Sequence, residues 1–186
     1  LRNPLTSILN LAESLGTKAS DAPRPVLKLS ADKLLLSINR LSKLTEDLLN
    51  LIDAETGKME FHPHKISIKE LIDPNLELLT GNAIKKKILI LTKIPANEMV
   101  FVDNTMIDSV VQNLVTNAIK FTNSGGRIEV VAEPKENIIQ ISIKDTGIGI
   151  AKEKLNSLFR IGTSNKTYGT AGEQGSGLGL LLCKEL

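Results

Sequence analysis

The sequence predicts an α+β protein: a helical hairpin, followed by an α/β sandwich with helices on one face of a sheet. Three observations predict it. Apolar residues recur at alternating spacings of four and three through residues 1–52. That rhythm then gives way to short period-two segments separated by helical ones. No internal repeat or low-complexity tract interrupts either part, so the expected organisation is a hairpin over 1–55 and a sandwich over 56–186.

In the first part, Leu1, Leu5, Ile8, Ala12 and Leu15 form one apolar row, which Gly16 is expected to close. The polar stretch TKASDAPRP reads as a turn. Leu27, Ala31, Leu34, Ile38, Leu41, Thr45, Leu48 and Ile52 repeat the rhythm, giving a second helix antiparallel to the first. Leu35, Leu36, Leu44, Leu49 and Leu51 widen the apolar face beyond one seam. Dimerisation into a four-helix bundle would cover that face; the alternative is that the hairpin packs on the rest of the chain.

In the second part, a strand-like segment near Met59–Ser67 precedes a helix from about Ile68 to Lys86, then strands at Ile88–Ile94 and Met99–Val102. Asp103 is a candidate N-cap for the helix that carries NLVTNAIKFT, residues 113–122. Ser-Gly-Gly then turns the chain into strands Arg127–Ala132 and Ile138–Asp145. The run Lys85-Lys86-Lys87 reads as the solvated end of a helix.

Composition excludes several function classes. A net charge of +2 and 3 % aromatic residues provide neither the field nor the stacking surface of a nucleic-acid binder. A single cysteine, Cys183, rules out an internal disulfide and suits a reducing compartment. No apolar run reaches the ~18 residues of a membrane span, so a cytoplasmic location is expected, with any membrane anchor in segments outside this sequence. The start within an apolar repeat and the end at Cys183–Leu186 in mid-helix read as the limits of a fragment.

Chemistry concentrates in three places. On the helix carrying NLVTNAIKFT, Asn113, Asn117 and Lys120 share one stripe, while Val110, Val111, Leu114, Val115, Ala118, Ile119 and Phe121 fill the opposite side. Two carboxamide oxygens one turn apart suit a Mg²⁺ held mostly by water and phosphates, and a lysine one turn on can neutralise phosphate. On the strand IIQISIKD, Asp145 ends an apolar row of Ile139, Ile141 and Ile143. Burial there requires donors, such as the exocyclic amine of adenine; otherwise the carboxylate turns to solvent at the strand end. Finally DTGIGI and GEQGSGLGLLLC are glycine-rich, the second leading into a helix whose first amides can cradle phosphate. Neither is a dinucleotide fingerprint or a P-loop.

In this order and spacing, NLVTNAIKFT, DTGIGI and GSGLGL resemble the N, G1 and G2 boxes of sensor histidine kinases, whose ATP-binding domain has the Bergerat (GHKL) fold of Hsp90, gyrase B and MutL. LRNPLTSIL resembles the H box without its first two residues. The resemblance implies a kinase core that binds Mg-ATP, transfers the γ-phosphoryl to a histidine of the dimerisation helix and passes it to an aspartate of a response regulator. It implies Mg²⁺ ligation by Asn117 with Asn113, phosphate contact by Lys120, a purine flanked by Phe121, and acceptance from the adenine amine by Asp145. Gly147, Gly149 and Ile150 would line the base pocket, and Gly175, Ser176, Gly177, Leu178 and Gly179 would wrap the phosphates. Residues 160–174 would form the ATP lid, with Arg160 and Lys166 meeting the γ-phosphate. The implied partners are a second copy of the chain and a receiver domain.

Some positions depart from the family pattern. Leu155 and Leu158 stand where phenylalanine is common, leaving Phe159 as the aromatic of the F box. The strands that normally follow the last helix are absent from the sequence, and the acceptor histidine is expected two residues before Leu1. His62 and His64 flank Pro63 in an extended linker, which suits neither an acceptor nor a metal site. Asn3, one turn after the expected histidine, resembles the family's phosphatase position; the alternative is an ordinary surface residue before Pro4. Two other functions compete: an ATP-hydrolysing conformational switch on the same fold, and a non-catalytic dimeric scaffold. The hydrolysing relatives resemble one another in having Glu where this chain has Asn113, and a carboxamide cannot take a proton from water.

Overall fold

The structure, a computed structural model, describes residues 2–18, 22–160, 168–173 and 175–186, with side chains from residue 5 onward except that of residue 18. It divides into two compact units, Leu1–Ile52 and Asp53–Leu186, the cut falling inside the last turn of the second helix.

The first unit comprises α1 (Arg2–Lys18) and α2 (Arg24–Glu55). Gly16 does not close α1. The Thr17 hydroxyl donates to the Glu13 carbonyl at 2.9 Å and the helix continues to Lys18, since an internal glycine costs only about 1 kcal/mol. Along the expected seam, Ile8, Leu15, Leu27, Ala31, Leu34, Leu41 and Leu48 are half-buried, whereas Leu5, Ala12, Ile38 and Ile52 are exposed. Leu9, Leu29, Leu35 and Leu36 are each more than half exposed. The hairpin therefore keeps an uncovered apolar face of the kind that marks association surfaces.

The second unit contains β1 (His64–Ser67), α3 (Ile68–Lys85), β2 (Leu89–Lys93), β3 (Met99–Val102), α4 (Asn104–Phe121), β4 (Arg127–Lys135), β5 (Ile138–Asp145), α5 (Lys152–Leu155) and α6 (Gly179–Glu185). β2 pairs parallel with β4, and β4 antiparallel with β5. β1 and β3 form a separate antiparallel pair. The core lies between α3, α4 and the sheet: Ile68, Ile72, Val111, Val115, Ile128 and Val130 are almost wholly buried. At about 1.5–3 kcal/mol per aliphatic side chain, these contacts dominate the stability of the unit.

Two polar devices set the position of α4. The Asp103 carboxylate caps the helix, accepting from the amides of Met106 (3.2 Å) and His62 (2.8 Å). The His62 bond, then the Met106 bond, lower its pKa from 3.8 against the opposing effect of burial. His62 and His64 are exposed, the latter opening β1. Across the α3–α4 interface, buried Asn75 donates to the Leu71 carbonyl (2.9 Å) and Asp108 (2.6 Å) and accepts from Gln112 (2.8 Å). This satisfied amide favours one rotation of α4 over its alternatives.

Candidate functional site

That rotation decides which side of α4 meets the core. Val111, Val115, Ala118 and Ile119 are buried, and Asn113, Asn117 and Lys120 lie half-buried along the edge. The glycine-rich segment before α6 is brought onto this edge: a Cβ at Gly179 would stand 2.7 Å from Asn113 Oδ1, and one at Gly175 would stand 2.8 Å from Lys120 Nζ. A methyl group at either position would have to displace a side-chain tip, Lys120 Nζ or Asn113 Oδ1, so glycine is what allows so close an approach. Buried Leu181 and Leu182 anchor α6, and the Cys183 thiol donates to the Val110 carbonyl at 3.8 Å. Within the loop, the Leu178 amide donates to Ser176 Oγ at 3.2 Å, and Gly177 adopts φ +78°.

At the other end of the edge, β5 delivers Asp145. Its carboxylate is exposed rather than buried, because the apolar row of β5 ends at the rim of the sheet. Oδ1 accepts from the Gly147 amide at 2.8 Å, and the Ile148 amide donates to the Phe121 carbonyl at 3.1 Å. The loop after β5 is therefore stitched to the end of α4. A Cβ on Gly147 would lie 2.5 Å from that carbonyl oxygen, whereas Gly149 faces open space at φ +67°. Ile148 and Ile150 expose their apolar side chains beside it.

Lys120 lies where these parts meet. Its Nζ is 4.6 Å from the Phe121 ring centroid, a cation–π contact. Burial lowers its pKa from 10.5, opposed by the negative charge of Glu173. The site is an open shelf between α4, β5 and the glycine loops. Two concavities elsewhere, between α3 and β2 and between α3 and α4, contain none of its residues.

The remaining expected residues stand apart. Arg160 is exposed beyond α5, its amide donating to the Ser157 carbonyl at 3.2 Å. Lys166 and the side chain of Asn3 lie outside the described residues. The solvated-end reading of the lysine run requires correction: Lys86 has a side chain only 12 % exposed and binds Thr170 and Glu173, neither of which sequence reasoning singled out. A signal was present, since Leu76, Leu79, Ala83 and Lys86 continue one buried row at spacings of three and four.

In sequence, a helical hairpin is followed by an α/β domain in which glycine-rich loops pack on the polar edge of one helix. Residues 102–186 match the family described as histidine kinase-, DNA gyrase B- and HSP90-like ATPase, and residues 1–57 match the His Kinase A (phospho-acceptor) domain. The chain belongs to the sensor histidine kinases, of which it carries the catalytic core. All of it aligns with histidine protein kinase SaeS of Staphylococcus epidermidis at 32 % identity, covering 53 % of that protein. It also aligns throughout with the autoinducer 2 sensor kinase/phosphatase LuxQ of Vibrio vulnificus at 31 %, covering 22 %. The chain thus spans about half or less of these relatives. Among solved structures, histidine kinase ThkA in complex with response regulator TrrA matches at TM-score 0.68 and 26 % identity, over 85 % of this chain and 46 % of that one. AdeS of Acinetobacter baumannii matches at TM-score 0.78 over 100 % of this chain and 86 % of that one; its 23 % identity supports the fold alone. No helix among the described residues is long and apolar enough to cross a membrane.

Proposed function

We propose that the chain binds Mg-ATP on the α4 edge, transfers the γ-phosphoryl to a histidine on a dimerisation helix and passes it to an aspartate of a response regulator. The observation that carries the reading is the apposition of Gly179 to Asn113 Oδ1 and of Gly175 to Lys120 Nζ. Backbone amides, a cation and two carboxamide oxygens converge there, and the nearby Glu173 carboxylate is paired with Lys86. Asp145 and the shelf of Phe121, Gly147, Gly149 and Ile150 take the adenine, with the exposed Asp145 carboxylate accepting from its amine.

Among the described residues no cluster of three His, Cys, Asp or Glu side chains could hold a metal unaided. Two neutral carboxamides, Asn113 and Asn117, suit a Mg²⁺ that keeps waters and phosphate oxygens in its shell. The ion would supply charge neutralisation on the phosphates. Lys120 and the amides around Ser176 and Leu178 position the phosphates and balance their charge, so positioning and electrostatics supply most of the catalysis. A homodimer through α1 and α2 covers the exposed leucines, and residues 1–55 and 56–186 act as the dimerisation and catalytic domains.

Incubation of a longer chain that carries a histidine two residues before Leu1 with γ-labelled ATP and a receiver domain tests the reading. Acid-labile label on the kinase, followed by label on the receiver, is expected. Release of inorganic phosphate with no protein label would instead support an ATP-hydrolysing switch. Dephosphorylation of the receiver is a second activity, favoured by the kinase/phosphatase name of LuxQ, and it assigns Asn3 to orienting the attacking water.

A further inference from the structure

Lys86 has an unusually complete set of partners for a residue in a lysine run. Its ammonium, which has three protons to share, lies within hydrogen-bond distance of four acceptors: the carbonyls of Ile119 (2.8 Å) and Lys120 (3.0 Å), Thr170 Oγ1 (2.6 Å) and Glu173 Oε1 (3.0 Å). The first two acceptors are at the C-terminal end of α4, where the helix dipole favours a cation. The other two belong to the segment Gly169–Glu173, whose backbone completes the junction. Thr170 N–H donates to the Lys120 carbonyl at 3.0 Å, and the Thr170 hydroxyl donates to the Thr122 carbonyl at 2.7 Å. Ala171 N–H donates to Glu173 Oε2 at 2.8 Å.

This segment forms one wall of the slot that holds Lys120. A Cβ at Gly169 would come within 2.5 Å of Lys120 Cγ, and one at Gly175 within 2.8 Å of Nζ, so the side chain runs between the two glycines. Glu173 carries the nearby negative charge that acts on Lys120. Burial raises the Glu173 pKa, but hydrogen bonds from its own amide, Lys86 and Ala171 more than offset this and hold it below 4.5.

We propose that Lys86 is a positioning residue for phosphate binding: by pairing with Glu173 and tying Gly169–Glu173 to the end of α4, it holds the Lys120 ammonium in its slot and keeps Glu173 from competing with phosphate for it. The inference rests on the ATP site proposed above. Without Lys86, the carboxylate would remain beside Lys120 as an internal anion.

Calorimetric titration of Mg-ATP into the wild type and variants tests it, with Asp145→Asn as the control for the site itself. Lys86→Met is expected to weaken binding about tenfold, and the double variant Lys86→Met/Glu173→Gln to recover most of that loss, because the competing anion has gone. A purely structural role makes the double variant worse than Lys86→Met. That result, or wild-type affinity in Lys86→Met, overturns the inference. Should Lys86→Met not fold, Glu173→Asp and Glu173→Gln carry the test. The first shortens the reach to Lys86 but keeps the anion and should weaken binding; the second should bind at least as well as wild type, and the reverse order overturns the proposal. A wild type that does not bind ATP overturns the site and this inference together. Wild-type binding that Asp145→Asn weakens and Lys86→Met does not removes this inference alone.

Discussion

Replacing Gly147 by alanine places a methyl group 2.5 Å from the Phe121 carbonyl oxygen and 2.6 Å from Asp145 Oδ1. Carbon–oxygen contacts relax only at about 3.3 Å, so the loop must move by roughly 0.8 Å. The Phe121 oxygen is backbone at the end of a packed helix and cannot yield; the loop must. The shift carries the Gly147–Asp145 bond (2.8 Å) and the Ile148–Phe121 bond (3.1 Å) beyond useful length. The neutral bond contributes about 1 kcal/mol, and the bond to the exposed carboxylate is largely replaced by water, so the loss is about 1 kcal/mol. That corresponds to roughly fivefold in ATP affinity. Gly149 provides the contrast, because its surroundings are open and only its φ of +67° is demanding. Alanine there costs about 1–2 kcal/mol, and asparagine, which tolerates that conformation, costs less. Calorimetric ATP titration with thermal unfolding of each variant separates the two. Wild-type affinity in Gly147→Ala, or Gly149→Asn binding more weakly than Gly149→Ala, would refute the distinction between a space-limited and a conformation-limited glycine.

Thr122 is wholly buried, and its hydroxyl oxygen has no hydrogen-bond partner among the described residues, so Thr122→Val should stabilise the domain by about 1 kcal/mol. The melting temperature should rise by a few degrees, roughly 2–4 °C, and a fall would show that the hydroxyl is satisfied. Because the Asp103 pKa is lowered from 3.8, its contribution is fully present above the unfolded value and is lost as pH falls through the folded one. Denaturant titrations should therefore show the stability gap between wild type and Asp103→Asn closing below about pH 4; a gap independent of pH would exclude the ionised cap. Leu35→Lys and Leu36→Lys, at exposed apolar positions of α2, should shift sedimentation toward the monomer without lowering domain stability, and an unchanged dimer would place the interface elsewhere.

Elements with a clean period were legible in the sequence. β3 and β5 occur at the expected bounds, and Asp103 caps α4. The polar stripe on α4 was equally legible, because Asn113, Asn117 and Lys120 recur at helical spacing opposite a row of apolar residues. The site's second layer was less so. Lys86 lies in a run that looks solvated, and its burial depends on Thr170 and Glu173, more than eighty residues downstream. The buried row Leu76, Leu79 and Ala83 points Lys86 inward, but no local pattern names its partners. Asp145 shows the opposite limit: alternation placed it correctly on its strand, but only the sheet's rim determines that the carboxylate is exposed. Gly16 was misread because one internal glycine costs a helix only about 1 kcal/mol, and α1 runs on to Lys18.

The most direct test of the account is calorimetric titration of ATP into the wild type and Asp145→Asn, each with Mg²⁺ and with chelator. One saturable site that needs Mg²⁺ is expected. Asp145→Asn, with unchanged thermal unfolding, should weaken it by about 1.5–3 kcal/mol, the value of a hydrogen bond to a charged group. Equal affinity in the two folded proteins, or no binding by the wild type, would contradict an ATP site built on Asp145 and the α4 edge.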